Sequence, residues 1–449
     1  MRLYIDPGTG SMLFTILISI LGVVIYAFRN VLVKIRFMAG GGRQKKTDMD
    51  REPFVFFTDS KRYQSIFKPL CDEMEKRGQQ VLYLTASPDD PLLGEKYEHV
   101  KCEFAGEGNK AFARMNFLKA DVVLSSTPGL DVYQWKRSRD VKKYVHIFHA
   151  PNDITLYRMF GIDYYDALLL NGEFQVAQAR AMEKLRGLPE KETVLVGSPQ
   201  LDDLAARLRA AESAAAESAA AGDQEGALSV GTGTSAEKKE TTVLLAPSWG
   251  PSGIFSRFGK RIIENLVATG YRVILRPHPQ SLTTEKELID SLRAEFPDGE
   301  KLEWNFDNDN FEVLRRSDIL ISDFSGVVFD FALVFDRPVI YADVSFDKGV
   351  YDAWWLEEEL WTYEILPKIG VALTEENIGN IGKVIEDALH APALKEGRDL
   401  ARQQAWVNPG KSIAAIADYL VCSRERLAAA PVAQAAGAAS DSLKEAVEA

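Results

Sequence analysis

Short apolar runs alternate along most of the chain with segments whose apolar residues have helical spacing. Residues 54–58 form the first run, residues 63–77 have helical spacing and end at Gly78, and residues 81–85 form the next run. Further apolar runs follow at residues 122–126, 144–148, 167–170 and 193–197. Strands separated by helices pair in parallel, so the pattern predicts a Rossmann-like domain over residues 53–208.

The same alternation resumes after a low-complexity stretch. Residues 209–240 change from Ala- and Glu-rich sequence to a Gly-, Ser- and Thr-containing segment without an apolar period, which predicts an interdomain linker. Residues 241–427 then repeat the strand and helix pattern and predict a second Rossmann-like domain. It ends in an amphipathic helix, residues 412–427, that could pack back across the domain junction. We expect the Ala-rich tail, residues 428–449, to be disordered.

The clearest strand-helix-strand unit lies between Ser317 and Tyr341. Residues 318–322 read as a buried strand, residues 323–326 as a polar loop at its carboxyl end, and residues 327–334 as an apolar helix. Ligands in doubly wound folds bind at the carboxyl ends of the strands, and two such domains face each other across a cleft. The loop is therefore the leading candidate site.

An uncharged apolar run near the N-terminus predicts a membrane anchor. As a helix, residues 12–28 would span about 25 Å, close to the roughly 30 Å hydrocarbon core of a bilayer. We predict a short extracytoplasmic N-terminus (residues 1–10), a single transmembrane helix (residues 11–28) and a basic juxtamembrane linker (residues 29–52). Because the positive charges follow the span, the catalytic domains are expected on the cytoplasmic side of the cell membrane. The alternative is a buried helix of a soluble protein, but the run has no polar face.

Composition narrows the class of protein. With 449 residues and 46% hydrophobic content, the chain is long enough for two domains with separate cores. The net charge of -12 argues against a nucleic-acid partner, because such binding depends on clustered Lys and Arg. Cys71, Cys102 and Cys422 lie far apart, which favours neither a disulfide framework nor a zinc site.

Two of the five histidines directly follow predicted strands. His149 comes at the carboxyl end of the strand 144–148, and His278 holds the matching position in the second domain, between two prolines that fix its backbone. His146 lies inside the first of these strands and is expected to be a packed or edge residue. One histidine on each side of a single cleft favours a shared catalytic site.

Five motifs together resemble those of a known family. They are Phe148–Pro151 (FHAP), Val196–Asp202 (VGSPQLD), Leu245–Trp249 (LAPSW), Arg276–Pro279 (RPHP) and Ile321–Asp330 (ISDFSGVVFD). Each is weak alone, but five in this order resemble the CDP-glycerol glycerophosphotransferases of teichoic-acid-type polymer synthesis, over about residues 125–420. The resemblance implies a GT-B architecture, with an acceptor domain first and a donor domain second.

The resemblance also implies the reaction. Glycerol phosphate would pass from CDP-glycerol, or a related CDP-alditol, to a hydroxyl of a lipid-linked or polymeric acceptor, and CMP would be released. By this resemblance His149 would be the base, while His278 and Arg276 would stabilise charge on the donor phosphates. Neither a metal nor another cofactor is expected. Asp307-Asn308-Asp309 resembles a DxD metal motif only by spelling, and it is expected to cap the helix that follows.

The loop after residue 322 would bind the donor's pyrophosphate. Ser325 and Gly326, at the N-terminus of the helix, would hold it, while Ser322 and Asp323 would shape the loop or contact polar groups of the donor. Asp330 is expected to have a structural or supporting role. Two further residues could line the nucleotide pocket, and core packing is an alternative for the second of them: Ser248 and Trp249.

The chain departs from the family's pattern at two places. Family members usually have His-Gly-Thr-Pro where this chain has His149-Ala150-Pro151, and usually two serines where it has Ser325-Gly326. Both departures remove a hydroxyl, which bears on the identity of the donor more than on the reaction class. Two alternatives stay open: a GT-B nucleotide-sugar glycosyltransferase of envelope polysaccharide synthesis, and a non-catalytic membrane-tethered scaffold that kept the fold.

Overall fold

A computed structural model describes residues 51–221, 240–307, 309–342, 349, 353–357 and 359–429. The predicted extracytoplasmic N-terminus and membrane span lie outside these residues, as do most of the basic linker and residues 430–449 of the tail. Among the residues that are described, no helix is both long and apolar enough to cross a membrane. Both predicted Rossmann-like domains belong to one compact unit that begins at Glu52.

The first domain contains, within the described residues, a seven-stranded parallel sheet with the order β3-β2-β1-β4-β5-β6-β7. Its strands are Glu52–Thr58 (β1), Val81–Thr85 (β2), Val100–Phe104 (β3), Ala120–Ser125 (β4), Val141–Ile147 (β5), Ala167–Leu170 (β6) and Glu192–Leu195 (β7). All except β3 were predicted. The sequence of β3, VKCEF, is half polar because an edge strand is covered less completely than a central one, so it lacks the continuous apolar run of a buried strand.

The second domain repeats this topology in six parallel strands of the described chain, with the order β10-β9-β8-β11-β12-β13. The strands are Thr242–Leu245 (β8), Arg272–Leu275 (β9), Leu302–Trp304 (β10), Ile319–Ser322 (β11), Val339–Ala342 (β12) and Gly370–Leu373 (β13). In this sheet both edge strands, β10 and β13, were not predicted. The prediction of two Rossmann-like parallel-sheet domains is confirmed, and each domain has the doubly wound strand order.

Helices cover both faces of each sheet. In chain order the α-helices are Gln64–Lys76 (α1), Asn109–Met115 (α2), Glu173–Arg186 (α3), Pro199–Ala221 (α4), Ile254–Phe258 (α5), Lys260–Ala268 (α6), Ser281–Thr284 (α7), Lys286–Glu295 (α8), Phe311–Arg316 (α9), Val327–Phe329 (α10), Trp361–Ile369 (α11), Ile381–Leu389 (α12), Ala393–Ala405 (α13) and Ser412–Ala429 (α14). Single 3-10 turns occur at Lys61–Tyr63, Pro91–Gly94, Ile154–Leu156 and Ile378–Asn380. The short α10 continues as a π-helix, Asp330–Val334, so the predicted helix 327–334 changes its hydrogen-bonding pattern halfway.

Strand β1 shows why the central strands read as continuous apolar runs. Phe54 and Phe56 point into the core on one face of the first sheet, and Val55 and Phe57 point into the core on the other face. All four side chains are fully buried. Successive residues of a strand face opposite sides, so a sheet that is covered on both sides needs apolar residues at every position.

Two helices cross between the domains. Helix α4 follows the first sheet, but Leu201 and Leu204 pack into the core of the second domain. Helix α14 follows the second sheet, but Ile416 and Leu420 pack into the core of the first. Helix α4 also extends through residues 209–221 of the predicted linker, while residues 222–239 lie outside the described chain. The domains are therefore joined by exchanged helices as well as by the linker.

The backbones of the two domains touch near this crossing. A Cβ atom added to Gly172, at the start of α3, would lie 1.8 Å from the carbonyl oxygen of Gln404. Close by, the amide of Val407 donates to the carbonyl of Asn171 with an N···O distance of 3.1 Å. Only glycine permits so close an approach, so this junction has little freedom to slide.

Candidate active site

His149 lies directly after β5, at the carboxyl edge of the first sheet. The centroid of its ring is 5.2 Å from that of Tyr63, and its Nδ1 lies 3.5 Å from the hydroxyl oxygen of Tyr157. Burial lowers the pKa of His149 below that of a free histidine. The ring is therefore neutral at neutral pH, which is the state that a general base requires.

His146 is a packed side chain, as the strand alternation predicted. It is fully buried, and its ring lies 4.7 Å from that of Phe148 and 4.8 Å from that of Tyr165, between ring centroids. Burial is the main cause that lowers the pKa of His146 to about 3, and the nearby His149 adds to it. The residue stays neutral and belongs to the core beneath the site.

His278 lies at the matching edge of the second sheet. Its Nδ1 accepts a hydrogen bond from the backbone amide of Gln280, with an N···N distance of 3.0 Å. In the neutral ring the proton is therefore on Nε2, which can donate to a ligand oxygen. Burial lowers the pKa of His278, and the charge of Arg62 lowers it further.

Arg62 and Tyr63 connect the two halves of the site. Both lie on or next to the 3-10 turn that follows β1 in the first domain. Tyr63 packs on His149, and its neighbour Arg62 lies close enough to His278 for its charge to act there. Two adjacent residues of the first domain thus act on the two histidines, one by ring packing and one by its charge, and the side chain of Arg62 is exposed. We did not predict these two residues, although their position after the carboxyl end of a central strand was a usable signal.

Arg276 is held by the loop that follows β10. Its guanidinium donates to the side-chain oxygen of Asn305 and, at 2.6 Å, to the carbonyl oxygen of Asp307. An arginine has five N–H donors, so this anchoring leaves others for a phosphate. Its role as a donor ligand stays a prediction.

Ser322 and Asp323 shape the loop of residues 323–326, the predicted donor loop. Both are fully buried. The Ser322 hydroxyl donates to the carbonyl of Ala246 at 2.7 Å, and both carboxylate oxygens of Asp323 accept from the backbone amide of Ser248, at 3.0 and 2.9 Å. Burial raises the pKa of Asp323 to about 6, against the opposing effect of these hydrogen bonds. Of the two roles considered for this pair, the geometry favours shaping the loop by tying β11 to β8.

Ser325 and Gly326 form the accessible part of the same loop. Both are partly exposed, in contrast to the buried pair before them. A Cβ atom on Gly326 would lie 3.6 Å from both terminal atoms of the Asn152 side-chain amide. Asn152 belongs to the loop that carries His149, so the predicted base loop of one domain meets the predicted donor loop of the other.

The two tentative nucleotide-pocket residues differ in exposure. Trp249 is 48% exposed just beyond the carboxyl end of β8, which places it outside the core. The hydroxyl oxygen of Ser248 is buried and has no hydrogen-bond partner within the described residues. An exposed indole at a strand end is suited to stacking on a base. Contact with a nucleotide stays a prediction for both.

Asp330 joins the π-helix to helix α4. The side-chain amide of Gln200 donates to its two carboxylate oxygens at 2.9 and 3.0 Å. Burial raises the pKa of Asp330 to about 7, and the Gln200 hydrogen bond opposes this rise. The carboxylate is 4% exposed, so its contacts are structural, in the role expected for it.

Asp153 is a second contact between the domains that we did not predict. Its buried carboxylate accepts hydrogen bonds from the backbone amides of Trp361 (2.9 Å) and Thr362 (3.1 Å), and from the Thr362 hydroxyl. These amides are the first of helix α11 in the second domain, where a negative charge is stabilising. Asp153 thus caps helix α11 and attaches the loop that carries His149 to the other domain.

The acidic residues that the structure describes near the site do not form a metal cluster. Within the described chain no group of three or more His, Cys, Asp or Glu side chains is arranged to hold an ion. Asp309 accepts from the amide of Phe311 at 2.8 Å at the start of α9, in the capping role that was predicted, and it also pairs with Arg207. Asn308 lies outside the described residues.

Solved structures define the class of fold. The chain is similar to the wall teichoic acid polymerase TagF, in a structure soaked with CDPG, with a TM-score of 0.56 and 16% identity over 90% of this chain and 99% of that one. It is also similar to the UDP-GlcNAc 2-epimerase of Neisseria meningitidis, with a TM-score of 0.50 and 11% identity over 82% of this chain and 100% of that one. At such identities the likeness concerns the fold, which is GT-B-like.

Part of the sequence also matches a known family. The model of the family CDP-Glycerol:Poly(glycerophosphate) glycerophosphotransferase matches residues 175–354, which include four of the five motifs but not the His149 loop. The predicted family resemblance is thereby confirmed over residues 175–354, where the chain is CDP-glycerol glycerophosphotransferase-like, and the predicted enzyme class is the one that the family's description gives. A search of the curated proteins found none that matches it.

Proposed function

We propose that this protein transfers glycerol phosphate, or a related alditol phosphate, from a CDP-alditol to a hydroxyl of a lipid-linked or envelope polymer acceptor, with release of CMP. The family match over residues 175–354 is the observation that carries this proposal. The structure of TagF soaked with CDPG supports the choice of nucleotide, although the likeness itself is one of fold.

The chemistry follows from the two histidines. The acceptor oxygen attacks the phosphorus that bears the glycerol, a new P–O bond forms, and the bond from this phosphorus to CMP breaks. The neutral ring of His149 takes the proton of the attacking hydroxyl, because burial has lowered its pKa. His278 Nε2–H and the loop at Ser325 donate to phosphate oxygens as charge builds up on them.

A membrane location completes the proposal. The apolar run at residues 11–28 and the basic residues that follow it support a single-pass anchor with the catalytic domains in the cytoplasm. An anchor of this kind would hold the site near acceptors that are themselves lipid-linked.

The test is to identify the released nucleotide. The full chain, in vesicles that contain lipid acceptors, is incubated with CDP-glycerol, CDP-ribitol or nucleotide sugars. Release of CMP that depends on the acceptor is the expected result. Release of UDP without CMP would show a sugar transferase instead. No release, with unchanged ligand binding in His149→Ala and His278→Ala, would show a binding protein without activity.

A further inference from the structure

We propose that Asn152 is a donor-binding residue that reaches across the cleft and hydrogen-bonds the diphosphate held at Gly326. The inference rests on the proposed function, because it assigns a new contact to the same donor site. It concerns the first domain, whereas the sequence motifs place the donor groups in the second.

Gly326 and Asn152 form the contact between the two loops. With φ -56° and ψ -22°, the backbone of Gly326 is one that any residue adopts, so backbone strain does not require glycine there. The Asn152 amide atoms stand 3.6 Å from the position that a Cβ would take. A phosphate held at this loop would therefore lie within reach of the amide.

The backbone of Asn152 is fixed, while its side chain is not engaged. Its amide donates to the carbonyl of Ala150 at 2.8 Å, and its carbonyl accepts from the side chain of Gln175 at 2.9 Å. The next residue, Asp153, is tied to helix α11 of the second domain. Within the described residues the side-chain amide of Asn152 has no hydrogen-bond partner and is partly exposed. A polar group held in place without a partner is suited to binding a ligand.

The chemistry of an amide fits this position. Its N–H donates to a phosphate oxygen, as a hydroxyl on residue 326 would, so Asn152 restores from the first domain a donor that Gly326 lacks. Because the group is neutral, it adds no charge beside the two histidines and Arg62. Its contact is with the diphosphate, so CMP, which has one phosphate, benefits less than CDP.

The experiment is a double-mutant cycle with Asn152→Ala, Gly326→Ser and the double variant, measured by calorimetric titration of the full chain with CDP, UDP and CMP. We expect Asn152→Ala to weaken binding of the diphosphate about 10- to 100-fold, and binding of CMP much less. In the double variant the serine hydroxyl donates to the phosphate in place of the Asn152 amide. At least half of the lost affinity for the diphosphate, on a logarithmic scale, is then restored. Asn109→Ala, an exposed asparagine of the same domain, is the matched control.

Two results would overturn the inference. The first is that Asn152→Ala and the control bind diphosphates with equal affinity. The second is that Asn152→Ala loses as much affinity for CMP as for CDP and that Gly326→Ser does not restore it. Unchanged melting temperatures show that the variants fold. If the wild type binds CDP or UDP through Asn152 but releases no CMP from CDP-glycerol, the proposed function fails and this inference stands. If CMP is released and Asn152→Ala binds CDP normally, only this inference fails. If the wild type binds no nucleoside diphosphate, this inference fails, and release of CMP from CDP-glycerol still decides the proposed function.

Discussion

Replacing Asp153 by alanine tests whether the domains are held together at the base loop. The substitution removes the acceptor of three hydrogen bonds from Trp361 and Thr362, and of a fourth from the Gln178 side chain. Asp153 is 1% exposed, so these donors lose their partner in a buried place. Each buried donor without an acceptor costs about 1–3 kcal/mol, and water that enters the vacated space recovers part of this. We expect a loss of about 3–5 kcal/mol in the free energy of unfolding.

The assay is thermal unfolding followed by tryptophan fluorescence. At about 2–4 °C per kcal/mol, the melting temperature should fall by roughly 6–20 °C. Trp361 stacks on Phe174 of the first domain, with ring centroids 4.2 Å apart, so its fluorescence reports the same junction. Transferase activity should fall as well, since the base loop loses its attachment to the donor domain.

Asp387→Ala is the matched control. This carboxylate pairs with Lys383 at 2.9 Å on the exposed face of helix α12, and such pairs contribute about 0.3–0.5 kcal/mol. If Asp153→Ala melts within a degree or two of wild type, as the control should, the hydrogen bonds to helix α11 do not stabilise the junction and the reasoning is refuted.

Three further predictions concern the site. His149→Ala should lower kcat about 10²- to 10⁴-fold with unchanged CDP affinity. In wild type kcat/KM should rise with pH through an inflection below 6.5, the value of a free histidine, because burial lowers the pKa of His149; an inflection at or above that value would contradict this. Burial raises the pKa of Asp330 to about 7 from 3.8, so its contribution to stability is complete below pH 3.8 and is lost as the pH rises through 7. The free energy of unfolding of wild type, measured in urea, should therefore fall by on the order of a few kcal/mol between pH 4 and 8. Asp330→Asn should remove this part of the pH dependence. Trp249→Ala should weaken CMP binding by about 1–3 kcal/mol without lowering the melting temperature, whereas Tyr133→Ala, another exposed aromatic, should change neither.

The sequence predicts the parts of the fold whose cause is local. Central strands such as β1 and β11 are buried on both faces, which leaves a continuous apolar run that is easy to recognise. The edge strands β3 and β10 are short or half polar, because fewer neighbours cover them. The π-helical turn after Phe329 leaves no mark in the apolar spacing, since it changes only which carbonyl each amide bonds.

The candidate site also contains residues that the local sequence could predict and residues that it could not. His149 and His278 could be predicted because a strand end is a local feature and parallel strands collect their ends at one edge. Asp153 could not, because the partners that explain it, Trp361 and Thr362, are 208 and 209 residues away in sequence. A carboxylate in a loop has no pattern of its own that shows which helix it caps.

The two departures from the family's pattern meet at one residue. Ala150 replaces the family's Gly-Thr pair on the base loop, and Gly326 replaces a serine on the donor loop. Asn152 donates its backbone amide to the carbonyl of Ala150 and places its side-chain amide beside Gly326. Both hydroxyls missing from the motifs are therefore missing next to one residue, Asn152, while the neutral His149 ring and the Nε2–H of His278 are retained. For the proposed transferase, this placement predicts a difference in which donor is accepted rather than in how the phosphoryl group is transferred.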